Sequence, residues 1–265
     1  MKKNILIFIT LLNITVLLGQ QELKLDGIYQ KENIYIFNPF QPSGTGYCVI
    51  EVLVNGKTTT DEISSNAFEI DLGIYNFKIG DPVTVIIKHR DGCKPQILNP
   101  EVLMPKSTFT ISSINIDKNG VLTWKTTGEV GSLPFIVEQF KWNKWVTVAT
   151  INGVGKPNQN EYSVNIHFIT GINRIRVKQV DYSKKPRYSQ EVSFNNTNAP
   201  ITFKPGNGQK TSKEIVFSAS TDYEIYDYFG QLVTKGYGTK IDVSKYKVGT
   251  YFINYDNKSE YFEKK

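Results

Sequence analysis

Histidine is nearly missing from this chain: His89 and His167 are the only two among 265 residues. They stand far apart, each within a strand-like segment, which excludes a histidine-based metal cluster or catalytic pair near in sequence. Zinc-protease, nucleophile-elbow and phosphate-loop patterns are missing as well. Cysteine is equally scarce, and Cys48 and Cys93 form no Cys-x-x-Cys pair. The formal net charge is +6, evenly spread, without the concentrated Lys/Arg stripe that nucleic-acid binding requires. Carboxylates fall at turns and on alternating strand faces. Asp61-Glu62 and Asp227 could serve as a catalytic acid pair only if the fold brought them together. The turn at 117–119 reads as ordinary hairpin chemistry rather than a calcium site. The expectation is a protein that is not an enzyme, with no catalytic residue, no cofactor and no metal.

What is present begins with Met1-Lys2-Lys3 and an apolar run over 5–18, broken only by Thr and Asn. Gly19 follows, just ahead of Gln20-Gln21-Glu22. This reads as a secretory signal peptide, 1–20, cleaved near Gly19 or Gln20. A run of 14 residues is short for a membrane span of about 20, so no span is expected after cleavage. Removing Lys2 and Lys3 lowers the formal charge from +6 to +4. In an exported chain, the two cysteines are expected to pair as a structural disulfide, Cys48 with Cys93.

The next stretch, 24–105, shows a period near 2 and no long helical stripe. Strands are read at 33–37, 47–54, 67–72 and 83–87; 74–79 reads as a short helical turn or an edge strand. Asn55-Gly56 and Asp91-Gly92 supply turns. Short strands between turn residues indicate a small antiparallel β-sandwich. The segment resembles immunoglobulin-like or carboxypeptidase-regulatory-like modules of exported bacterial proteins. Pro95, Pro100 and Pro105 space out a linker that cannot be a regular helix.

A second run of about seven strands covers 107–195. It includes 109–116, 121–124, 135–140, 145–151 and 162–168, with Asp117-Lys118-Asn119-Gly120 as a hairpin turn and Trp124 at a core position. The last two strands carry Ile175-Arg176-Val177-Lys178-Gln179-Val180-Asp181 and Tyr188-Ser189. Arg176, Lys178, Gln179, Val180, Asp181, Tyr188 and Ser189 match the end of the fibronectin type III-like module that precedes the sorting tail in type IX secretion cargo. The chain resembles that family here, with Ile175 where the family has Tyr. The resemblance implies a sandwich without the usual tyrosine-corner hydrogen bond, Ile175 contributing packing alone. Trp142 falls at a hairpin tip and is a candidate contact residue, for a protein or a stacked glycan; the alternative is a ring folded back over its own hairpin.

The segment 198–265 is rich in tyrosine and in short strands: 214–217, 223–226, 232–233, 240–243, 251–255 and 261–262. Gly230 follows a strand ending in Asp227; Ile241-Asp242-Val243-Ser244 and Gly249-Thr250-Tyr251 come next, and the end is basic. Gly230, Asp242, Gly249 and Tyr251 resemble the motif of the type IX C-terminal sorting domain. The Asn-Pro pair that often opens that domain is missing, Lys204-Pro205-Gly206-Asn207 standing near its place, and the stretch after Tyr255 is unusually charged.

The expected architecture is therefore all-β: two tandem β-sandwich domains of immunoglobulin or fibronectin type III kind, followed by a small β-rich C-terminal domain. The expected function is that of a non-enzymatic exported protein of the periplasm, outer membrane or cell surface, associated with the type IX route. Its partner would be a protein of the envelope or secretion translocon, or a surface glycan. The alternatives are a retained accessory subunit of the translocon and a secreted, enzyme-associated binding module.

Overall fold

The computed structural model describes residues 21–42 and 44–265; the predicted signal peptide lies outside them. The chain divides into two compact units, one ending at Leu103 and the other spanning Met104–Lys265. The chain is all-β, and among the described residues the helical segments are two short 3₁₀ turns, Leu72–Tyr75 and Pro100–Leu103.

In the first unit, Gln21–Ile28, Pro82–His89, Val49–Val54 and Lys57–Thr58 form one antiparallel sheet in that order. Ala67–Ile70, Ile34–Phe37 and Gln96–Ile97 form the other. Alternation sends Val83, Val85 and Ile87 inward from one sheet and Ile34, Ile36, Phe68 and Ile70 from the other, as period-2 strands require. Asn38, fully buried, is satisfied on both sides: its amide donates to Ile63 O and its Oδ1 accepts from Val49 N. A disulfide joins Cys48 to Cys93.

Two readings of this unit change. Gln21–Ile28 is a strand, although only Leu23 and Leu25 signal it, and it pairs residue by residue with Pro82–His89. The proline-spaced stretch after Cys93 is part of the unit rather than a bare linker. Gln96–Ile97 pairs with Ile34–Phe37, and the 3₁₀ turn buries Val102 and Leu103 in the core. Gly27 makes that packing feasible, because a Cβ there would stand 2.3 Å from Leu103 O. The ambiguous segment near Ile74 is the 3₁₀ turn Leu72–Tyr75, with Asp71 accepting from Gly73 N as its cap.

The second unit begins with a sandwich. Lys144–Asn152, Pro134–Lys141, Gly171–Val180 and Pro186–Tyr188 form one sheet, with Val192–Asn196 also on Gly171–Val180; Asn160–Asn165, Val121–Thr127 and Thr110–Ile116 form the second. Trp124 lies in the core, stacked on Tyr162 at 5.1 Å and edge-on to Phe135 at 5.8 Å. Ile175 is fully buried and packs. The anchoring role of a corner tyrosine is taken instead by Tyr162, whose hydroxyl donates to Glu129 and accepts from Val154 N at 2.8 Å. Burial, with Glu129 alongside, pushes the Tyr162 phenol up to about 12.

The tail sheet runs Phe203–Lys204, Glu214–Asp227, Gly249–Tyr255, Lys258–Lys264, Lys210–Thr211, with Leu232–Asp242 also on Glu214–Asp227. Segments read as four short strands are two long ones. The register slips between Val216 and Thr221, and this bulge across Ser218-Ala219-Ser220 breaks the apolar alternation without ending the strand. Ile215, Phe217, Ile225, Ile253, Tyr255 and Phe262 fill its core.

The disulfide closes a separation of 45 residues, which the chain-entropy relation converts to about 4 kcal/mol of stabilisation. A Cys48→Ser/Cys93→Ser protein is expected to lose stability on that scale in urea unfolding; an unchanged midpoint would contradict it.

Candidate functional site

Within the second unit, the sandwich and the tail meet along a polar seam. The sandwich side begins at the two-residue turn Trp142-Asn143, both in the left-handed region at φ 54° and 59°, which suits the tight turn joining twisted strands. That turn projects Trp142 toward the tail, where its indole Nε1 donates to Asp256 O at 2.9 Å. Trp142 therefore meets the tail of its own chain, and its ring also lies against its own hairpin, with Lys141 Nζ 4.7 Å and Lys144 Nζ 5.9 Å from its centroid.

The lysines that flank this turn complete the contact. Lys141 is buried, with its side chain 2% exposed, and its ammonium reaches Asp222 Oδ2 at 2.9 Å. A buried ammonium is tolerable when so paired. The other oxygen of Asp222 faces His167 Nδ1 at 3.2 Å, and the His167 ring stacks on Tyr237 at 3.9 Å between centroids. Lys144 reaches Glu224 Oε2 at 2.8 Å and Tyr226 Oη at 3.0 Å. Although burial opposes the charged forms, the Lys144 and Tyr226 hydrogen bonds hold Glu224 below its ordinary value. Against the same burial, Glu224 and Tyr226 hold Lys144 above its own.

The turn after Gly249–Tyr255, which holds the Trp142 acceptor, also bonds to the sandwich at Thr170. Asp256, 1% exposed, accepts from Thr170 N through Oδ1 at 2.6 Å. Asn257 Nδ2 donates to Thr170 O at 2.7 Å. Beside the Lys141, Trp142 and Lys144 contacts lies a groove of about 650 Å³ lined by Trp145, His167, Asp222, Glu224, Lys235 and Tyr237 among others. The acids facing it are already engaged by lysines, and among the described residues no group of three or more His, Cys, Asp or Glu is placed to hold a metal ion.

The four motif residues of the tail do not converge on one site. Gly230, at φ 78°, closes the turn after Asp227, whose carboxylate accepts from Phe229 N and Gln231 N. Asp242 caps the next turn by accepting from Ser244 N at 2.8 Å, and this hydrogen bonding with Ser244 lowers its pKa. Gly249 sits at φ 153°. Tyr251 is a core residue stacked on Phe262. Asp242 pairs opposite Glu214 and Tyr251 opposite Asp227, at the two ends of one long strand. Asp61 and Asp227 belong to different units.

The matched residues of the sandwich also serve its architecture. Arg176 lies 4.0 Å over the Trp145 ring and 4.1 Å over Tyr188, with its Nε donating to Glu138. Asp181 accepts from Ser107 N, and Ser189 Oγ accepts from Val177 N. Lys141, Lys144, His167, Asp222 and Asp256 carry no motif that singles them out. The seam they form had no sequence signal beyond the exposed tip at Trp142.

Comparison with known proteins places one segment. Residues 205–265 match the secretion system C-terminal sorting domain, so the chain carries such a tail. No curated protein matches the chain. Among solved structures, a tetra-tandem repeat from the extending region of a large adhesion protein is 10% identical, with TM-score 0.31, over 92% of this chain and 73% of that one. The FN1–FN3 domains of chicken CNTN1 are 14% identical, with TM-score 0.26, over 92% and 94%. Dimeric latent PorU from Porphyromonas gingivalis is 11% identical, with TM-score 0.23, over 92% of this chain and 30% of that chain.

Glu224 contributes to seam stability fully above its ordinary value of 4.5, and that contribution is lost as pH falls through its lower folded value. A Glu224→Gln protein is expected to melt below the parent at neutral pH and to converge with it in acid, once the pH has fallen through that lowered value. A gap that persists unchanged in acid would show that the carboxylate charge plays no part.

Proposed function

We propose that this chain is an exported, non-enzymatic protein of the cell envelope or surface, carried by the type IX route and acting through protein or glycan contacts. The observation that carries the proposal is the sorting-domain match over 205–265, on a tail that follows a β-sandwich. The composition of the chain supports a binding role, as does the engagement of the groove acids Asp222 and Glu224 with lysines. Among the described residues, no helix is long and apolar enough to cross a membrane. Two tandem sandwiches ahead of a sorting tail suit a protein that presents surfaces rather than a reaction centre.

A second reading, a resident accessory subunit of the secretion machinery, is favoured by one specific observation. The tail is bonded into the sandwich through Lys141, Trp142 and Asp256, an arrangement suited to a domain that is kept. The two readings part on the covalent state of the native protein. Intact-mass measurement in periplasm, outer membrane and medium is expected to find a surface or medium form. A species ending near residue 200 marks delivered cargo, and one intact to Lys265 in the envelope marks the resident subunit. Protein confined to the cytoplasm would overturn both.

A further inference from the structure

The connection between sandwich and tail is short and accessible, whereas the bonds on either side of it are numerous. Residues 197–200 are exposed. Immediately before them Asn196 donates to Ile169 O at 3.1 Å, and immediately after them Ile201 N donates to Asp256 Oδ2 at 3.1 Å. Lys258 Nζ donates to Ile201 O from the tail side. Each end of the exposed stretch is thus fixed by groups on its own side, and the bond that Asn198 N donates to Asn196 Oδ1 is local to the sandwich end.

The seam does not use that peptide either. Lys141 to Asp222, Lys144 to Glu224, Trp142 to Asp256 and Thr170 to Asp256 all join residues at least 80 positions apart. Two of these features resemble what anchors tight protein interfaces: a desolvated lysine paired with a carboxylate, and a tryptophan held by a specific hydrogen bond. Lys141 has no water to return to while the tail is in place, and Asp222 is divided between it and His167. Separating the pieces would strip Lys141 of its carboxylate and leave the Trp142 indole and the Thr170 amide without their tail acceptors.

We propose that the sandwich face around Trp142 is a docking surface for the tail that works without the peptide link, so that a cut within 197–200 leaves the tail bound as a separate chain. The occupant of this surface is the tail itself, recognised by the carboxylates of Asp222, Glu224 and Asp256. The inference rests on the seam and holds whichever route carries the protein, so it can fail while the export reading stands, and the reverse.

The test uses the full chain with a specific protease sequence in place of residues 197–200. After complete cutting, the two pieces are expected to co-elute from a sizing column at micromolar concentration. Lys141→Ala in the same protein is expected to weaken the association about a hundredfold, as for truncation of one partner in a buried charge pair. Lys144→Ala, at a more exposed position, provides a second variant if Lys141→Ala disturbs folding, with a smaller loss expected. Pieces that separate, or a freed tail that precipitates, would overturn the proposal. So would co-elution whose affinity neither substitution changes, since something other than the seam would then hold the tail.

Discussion

Asp256 is the point on which the second unit depends. Its carboxylate accepts from Thr170 N in the sandwich and from Ile201 N in the connection, its carbonyl accepts from Trp142, and its own N–H donates to Thr221 Oγ1 in the tail. Sandwich, connection and tail are thereby referred to one buried residue. A carboxylate removed from water needs such donors to be tolerated, so the three parts cannot move independently of it. The lysine contacts at Asp222 and Glu224 add to an arrangement that this residue has already aligned.

Much of the fold was legible because strands announce themselves by period 2 and by their turns. Asn55-Gly56, Asp117 to Gly120 and the alternation over 83–87 each describe a local preference that the packed structure keeps. Trp124 was legible as core because a large ring within an alternating strand has few other places to go. The strand Gln21–Ile28 was harder to see, since an edge strand buries only part of one face and so carries a diluted pattern. The bulge over Ser218-Ala219-Ser220 concealed the continuity of the longest strand for a related reason: pairing with Leu232–Asp242 resumes beyond it, at Thr221, while the hydrophobic alternation is broken across it.

The seam was illegible for a different cause. Lys141 and Asp222 look like ordinary charged residues on strands, and a solvated role is the common one for both. Only tertiary placement buries Lys141 and sets Asp222 against it. The four glycine, aspartate and tyrosine positions of the tail could be matched to a motif, yet the structure gives them turns, a cap and a core ring. That motif specifies how the tail folds, while its docking is written in residues outside it.

One strand also orders events in time. Lys258–Lys264 lies between Gly249–Tyr255 and Lys210–Thr211, the latter pairing parallel to it, and it places Phe262 in the core. The sandwich has all its strands once residue 196 has been made, whereas the tail sheet cannot close before residue 264. On a growing chain the sandwich therefore has its complete sequence some 70 residues earlier, a few seconds at ordinary rates of synthesis. During that interval Lys141 and Trp142 are still without their partners, and the surface that will receive the tail is open to whatever the new chain meets first.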